Sequence, residues 1–317
     1  MTVARSSRRT SSATSAAQRL RLQFAAVRVA FTWFGVRKSL SMEQKAQAAE
    51  KFGAEGQFLT AAKKLLDTKH EAFQQVTSIR SQILSYWKGL TIPYPEPGVR
   101  LMRQDDIANF NIRMTELRDQ LTSAVANLDQ HFEQLRSAAR DRLGSLFNPA
   151  DYPSTLLGLF GVDFDFPSVE PPEYLLRLNP DLYRQERDRI AARFDEAVKL
   201  AEEAFVSEFA KLVSHLTERL SAGVDGEKKI FRDSAVTNLT EFFERFKNLN
   251  VSSDAGLDRL VETARQALQG VDPQTVRDSA SLRQHVTTQL SGVQASLDQL
   301  LVDQPRRRIL RGRVREG

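Results

Sequence analysis

Asn179 and Pro180 open a run in which no glycine and no further proline occurs before Gly223. Asparagine is a favoured helix cap and proline suits the first helical position. The run therefore predicts a single helix from Asn179 to Ala222, about 43 residues and roughly 65 Å long at 1.5 Å per residue. Phe194, Val198, Ala201, Phe205, Phe209, Leu212, Leu216 and Leu220 recur along it at spacings of three and four. Such a stripe needs an apolar partner of comparable length.

A second stripe suggests that partner. Ile107, Phe110, Met114, Leu117, Leu121, Ala124 and Leu128 step three and four in the manner of a coiled-coil seam. The next seam position is His131, but the stripe drifts to Phe132, Leu135, Ala139, Leu143 and Leu146, as a straight helix does when a seven-residue repeat lapses. Gln104–Phe147 then reads as another helix of about 43 residues. Between the two helices, residues 148–178 hold five of the chain's eleven prolines and an apolar set that includes Leu156, Phe160, Val162, Phe164 and Phe166. The economical reading is a long antiparallel hairpin with a structured, proline-rich cap at its tip.

The remaining segments read as shorter elements. Leu20, Leu22 and Phe24, then Val27, Val29, Phe31 and Trp33, alternate with period two and predict one strand. It either pairs with another chain, forms a ribbon with Val162–Phe166, or is an apolar helix. Ser41 to Gln44 form a capping box, with Gly53 closing the helix. Phe73, Val76, Ile79, Ile83 and Trp87 mark a helix within residues 59–87, and the prolines at 93, 95 and 97 make 91–98 a rigid extended connector. Beyond Gly223 come an aromatic helix (Phe231, Phe242, Phe243, Phe246), a helix capped by Ser253 or Asp254, and a last helix through Leu282, Val286, Leu290 and Leu297.

Charge is unevenly placed. Residues 1–42 carry eight Arg or Lys and no acid, and residues 304–317 carry six Arg against Glu316. The body between them has 31 basic and 39 acidic groups, so the basic balance lies at the ends. Arg306, Arg307, Arg308, Arg311, Arg313 and Arg315 are the candidate contacts for nucleic acid or another anionic partner. The first 18 residues match a transit peptide in composition, and equally a disordered tail or an upstream start codon. No run reaches the ~20 apolar residues of a membrane span; Leu22–Val36 comes nearest and contains Arg28.

Few residues of the chain fall in patterns that carry chemistry. With no cysteine, thiolate sites and disulfides are excluded. No phosphate loop, nucleophile elbow or His-Glu-x-x-His occurs. His70, His131, His215 and His285 each stand alone on predicted helices, so only tertiary packing can join them; His131, on the seam, is the one suited to a pH-responsive or register-setting role. Asp163 and Asp165 alternate with Val162, Phe164 and Phe166, which places both carboxylates on a solvent face. The aromatic helix, beside Arg232, Arg245 and Lys247, reads as core rather than as a base-stacking surface. Phe31, Trp33, Phe160, Phe164 and Phe166 are the candidate protein interface, because an unpaired strand edge is a template for another chain and large apolar patches mark contacts.

Trp33 to Lys38 (Trp-Phe-Gly-Val-Arg-Lys) and Asp225 to Leu239 (Asp-Gly-Glu-Lys-Lys-Ile-Phe-Arg-Asp-Ser-Ala-Val-Thr-Asn-Leu) resemble an uncharacterised helical family of bacteria, phages and mobile elements. The resemblance spans residues 25–303 and carries no activity or catalytic residues. Members are sometimes encoded near AAA-type ATPases and metal-adhesion-type domains, which implies at most an accessory subunit.

The expectation is an all-α, elongated helical bundle built on the long coiled-coil-like hairpin, with at most a minor strand near the N-terminus. Its divisions are a basic tail (1–19), a strand with short helices (20–98), the hairpin (99–222), a C-terminal helical subdomain (223–303) and an arginine-rich tail (304–317). Functionally it reads as a cytoplasmic, non-enzymatic assembly subunit without cofactor or metal, forming a homo-oligomer or joining a larger assembly through the hairpin. A nucleic-acid-associated protein using the tails is the alternative reading, as is an accessory partner of an AAA-type ATPase.

Overall fold

The computed structural model describes residues 14–220, 233–271, 274–275 and 279–303. The chain divides into two compact units, one of residues 25–91 and 98–168, the other of residues 1–24, 92–97 and 169–317.

Helix α1 (Ala16–Gln23) leads directly into strand β1 (Phe24–Trp33). Ser15 caps α1 in a reciprocal box with Gln18, so Leu20 and Leu22 are helical and the strand begins at Phe24. Along β1, Val27 and Val29 are buried and Phe31 and Trp33 are partly covered, whereas Arg28, Ala30 and Thr32 are exposed. The period-two pattern thus gives the strand one apolar face.

In the first unit, β2 (Arg37–Ser39), α2 (Met42–Glu50) and β3 (Ala62–Lys64) follow, then α3 (Glu71–Gly89). Ser41 and Gln44 form the capping box of α2, and Gly53 adopts a positive φ of 62° in the turn that follows. Helix α3 begins only at Glu71, capped by His70; residues 62–64, expected within a helix, pair instead with β2. Strand β4 (Thr91–Pro93) turns through Gly98, at φ 78°, into β5 (Val99–Arg103). Pro93 is tolerated because β4 is an edge strand. Helices α4 (Ile107–Gln130) and α5 (Phe132–Leu143) precede β6 (Phe160–Asp165).

These strands overturn the all-α expectation. β4, β5, β1 and β6 lie side by side in one four-stranded sheet, and β2 and β3 form a separate ribbon. β1 and β6 run antiparallel, with Arg28 opposite Asp165, Ala30 opposite Asp163 and Trp33 opposite Phe160. The apolar strand therefore meets β6, the second of the three alternatives its sequence allowed. The sheet's apolar face and helices α3 and α4 share one core containing Val27, Val29, Phe73, Ile83, Phe110, Leu121 and Phe160.

The helix expected at residues 104–147 also differs from its sequence reading. The α4 seam packs along α3. The expected 43-residue helix is interrupted at His131, whose backbone (φ −91°, ψ −2°) separates α4 from α5. The amide of His131 donates to the Leu128 carbonyl at 3.1 Å, tightening the last turn of α4. What reads in sequence as drift of a straight helix is thus a break that lets Phe132, Leu135 and Ala139 turn into the core.

In the second unit, short α6 (Tyr174–Leu178) precedes α7 (Pro180–Leu220), where Asn179 Oδ1 accepts from the Leu182 amide at 3.0 Å as the expected cap. Helices α8 (Ser234–Leu249), α9 (Ala255–Ala267) and α10 (Ala280–Asp303) follow. The α7 stripe is covered by α10, α1 and α8. Phe209 stacks on Phe242 at 5.1 Å between centroids, and Phe205 meets Phe246 edge-on at 5.0 Å. The aromatic helix α8 is therefore core, with Phe242, Phe243 and Phe246 all buried.

Phe209 is 0% exposed and Leu121 1%. Phe209→Asp or Leu121→Asp is expected to cost several kcal/mol by burying an unpaired charge. Lys211→Asp, on the exposed side of α7, is expected to leave the thermal midpoint within a degree or two; circular dichroism melts of the three variants check the assigned faces.

Candidate functional site

The aromatic residues read from sequence as an interface come together, but with one another and with the core of their own unit. Trp33 meets Phe160 edge-on at 4.9 Å and Phe31 at 6.2 Å. Phe164 and Phe166 both pack against Phe110 of α4, at 5.6 and 6.3 Å. The Arg80 guanidinium on α3 lies 4.5 Å from the Trp33 ring centroid and 5.2 Å from that of Phe31, close enough for cation–π attraction. Phe160 is buried, Phe31, Trp33 and Phe164 are partly so, and Phe166 is the most open of the five. Asp163 and Asp165 project to the exposed side of β6, and Asp165 pairs with Arg28 across the strands at 2.6 Å. The six tail arginines from Arg306 to Arg315 lie outside the described residues.

Two features escape a reading of the sequence. The first is a histidine pair: the His70 and His131 rings lie 5.2 Å apart. His70 Nδ1 accepts from the Ala72 amide at 3.3 Å at the start of α3. Two residues at the ends of different helices, 61 positions apart, leave no local spacing to reveal them.

The second is a basic ribbon. In β2 and β3, Arg37 stands opposite Lys64 and Lys38 opposite Lys63, an arrangement in which like charges directly across a ladder repel. Asp151 relieves it. Its carboxylate, only 2% exposed, takes Lys38 Nζ at 2.5 Å and Lys63 Nζ at 2.6 Å, and Lys63 also donates to the Leu146 carbonyl at 2.6 Å. Asn148 Oδ1 accepts from the Ala150 amide and sets the short turn that presents Asp151. Hydrogen bonds from Lys38 and then Lys63 hold the Asp151 carboxyl below its usual range, against the opposing effect of burial. Arg37 and Lys64 remain exposed.

Between β2 and β3 the chain makes an excursion through α2 and a short 3-10 turn, Gly56–Phe58, which packs on α2. Gly56 permits the approach: a Cβ there would lie 2.9 Å from the Ala46 Cα and amide nitrogen. The excursion carries Phe52 and Phe58, each 82% exposed. Residues 37–69 hold seven basic and four acidic side chains, the reverse of the body as a whole.

Elsewhere a shallow groove of about 960 Å³ runs between α3 and α4, lined largely by amides and hydroxyls such as Gln74, Gln75, Ser78, Gln82, Gln120 and Asn127. In the second unit, Tyr174, Leu176, Leu178 and Leu182 are exposed along α6 and the start of α7. Among the described residues no group of three or more His, Asp or Glu is placed to hold a metal ion, and no helix is long and apolar enough to cross a membrane.

Comparisons with protein-family models, curated proteins and solved structures find no match to this chain.

Asp151→Asn leaves Lys63 buried without a counter-charge, and is expected to destabilise the first unit by roughly 3–5 kcal/mol. Because the folded carboxyl sits below its unfolded value, its contribution is complete above about pH 4 and is lost as the pH falls through the lowered folded value. Chemical denaturation at pH 7 and pH 3 checks both: the gap between parent and variant is expected to narrow at the lower pH.

Proposed function

We propose that this protein is a non-enzymatic assembly subunit that associates with a second copy of itself through the strip formed by α6 and the first turns of α7. The observation that carries this reading is the exposure of four large apolar side chains within nine residues: Tyr174, Leu176, Leu178, which is 76% exposed, and Leu182. Concentrated apolar exposure of this kind marks interaction surfaces. Helix α6 packs on α7, and no residue of α7 before Ile190 is buried. The first ten residues of α7 therefore offer nearly their whole circumference for a contact.

Charge argues for self-association at this strip. Residues 173–189 contain four acidic and four basic side chains, several of them paired within α7, as Arg184 is with Asp181 and Arg189 with Glu186. A neutral surface of mixed sign can face its own two-fold copy without net repulsion, which is what an isologous interface demands. This strip takes the place of the helical hairpin as the assembly surface.

Light scattering at micromolar concentration is expected to show the parent as a dimer or larger and the double variant Leu176→Glu, Leu178→Glu as a monomer with an unchanged melting midpoint. A monomeric parent, or a variant that keeps the assembled mass, would overturn this reading.

A further inference from the structure

We propose that the β2–β3 ribbon and its α2 excursion form a binding surface for single-stranded nucleic acid, with Arg37 and Lys64 contacting phosphates and Phe52 and Phe58 stacking on bases. The ribbon places two cations opposite two others, an arrangement a fold has no reason to adopt for stability, since like charges facing across a ladder destabilise it. One carboxylate, Asp151, neutralises the inner pair Lys38 and Lys63. The outer pair, Arg37 and Lys64, stays exposed and adjacent, two positive charges held at strand spacing. A polyanion supplies the missing counter-charge and gains entropy by releasing its condensed counterions.

The aromatic side chains identify which polyanion. Phe52 and Phe58 are among the most exposed large apolar residues of the described chain; Phe58 ends the turn whose approach to α2 depends on Gly56, and Phe52 precedes that turn by four residues. A ring held in the open on a braced backbone has a free face on which a base can stack. Stacking on aromatic side chains beside a cationic track is how single strands are bound without sequence preference. In a duplex the bases are already stacked on one another, so these rings find no partner there. Membrane insertion is the other use of exposed phenylalanine, but α2, with Glu43, Gln44, Gln47 and Glu50, has no continuous apolar stripe to bury in acyl chains. The residues of this surface are distinct in sequence from those of the self-association strip and from the terminal arginines.

Fluorescence anisotropy of the full chain with a labelled 20-nucleotide mixed-sequence DNA, single-stranded and as its duplex, tests the proposal. Phe52→Ala with Phe58→Ala is expected to weaken single-strand binding roughly tenfold or more while leaving duplex binding within twofold. Phe52→Tyr with Phe58→Tyr is expected to keep it. Arg37→Gln with Lys64→Gln is expected to weaken binding and to flatten the slope of log affinity against log salt by about 1.4, two phosphate contacts' worth for a single strand. All four substituted positions, Arg37, Phe52, Phe58 and Lys64, are exposed side chains, and unchanged melting midpoints confirm that folding is intact. Single-strand affinity unchanged in both alanine and glutamine variants would overturn the proposal and leave any binding to the tails. Loss of binding to vesicles of equal phosphatidylcholine and phosphatidylserine in the alanine variant, with DNA binding intact, would overturn it in favour of a membrane.

Discussion

The pairing of β1 with β6 is the contact on which the first unit depends. It joins residues about 130 positions apart in the chain, so everything between them must fold within the closed loop, at an entropic cost that grows slowly with length. What offsets that cost is the apolar face the two strands create together. Val29 faces Phe164, Phe31 faces Val162 and Trp33 faces Phe160, and beneath them Phe73 of α3 and Phe110 of α4 complete the core. Without β6, β1 would present an unpaired edge and a half-covered row of aromatic rings. With it, the segment that most resembles an interface in sequence becomes the floor of a domain.

The legible parts of the fold were those whose signal is local. The Asn179-Pro180 start, the α7 stripe and the Ser41 capping box each rest on residues within a few positions of one another, and each is found. Strand β1 is long enough for alternation to show. Strands β2, β3 and β4 have three residues and β5 has five, too few for a period of two to stand out, so the β2–β3 ribbon and two of the four sheet strands, β4 and β5, went unread, whereas β6 was one reading's partner for β1. The single long helix expected at residues 104–147 failed for a different reason: spacing of three and four states which face of a helix is apolar but neither what covers it nor where the backbone breaks, and the α4 seam is covered by α3 and ends at His131. The candidate surfaces divide in the same way: net charge along residues 37–69 is legible, whereas the exposure of Phe52 and Phe58, the burial of Asp151 and the meeting of His70 with His131 exist only once the chain has folded.

The two proposed surfaces differ in a way that physical chemistry can use. The strip along α6 and α7 is apolar and electrically neutral, with charges already paired along the helix, which suits contact with its own copy. The β2–β3 excursion is basic, carries isolated rings, and keeps part of its charge uncompensated, which suits a polyanion with flat apolar faces. Each surface lies in its own unit, so each can be disabled without touching the other's core. An assembly subunit that displays the second surface in several copies would gain avidity for a strand long enough to reach them.

Internal pairing of β1 with β6 is tested most directly by isotope-filtered nuclear Overhauser spectra on an equal mixture of labelled and unlabelled full-length chain, unfolded and refolded together. Contacts between Ala30 and Asp163, and between Arg28 and Asp165, are expected within labelled chains alone. The same contacts appearing only between labelled and unlabelled chains, or no contact between these strands at all, would contradict an internal sheet and restore β1 as an edge offered to another molecule.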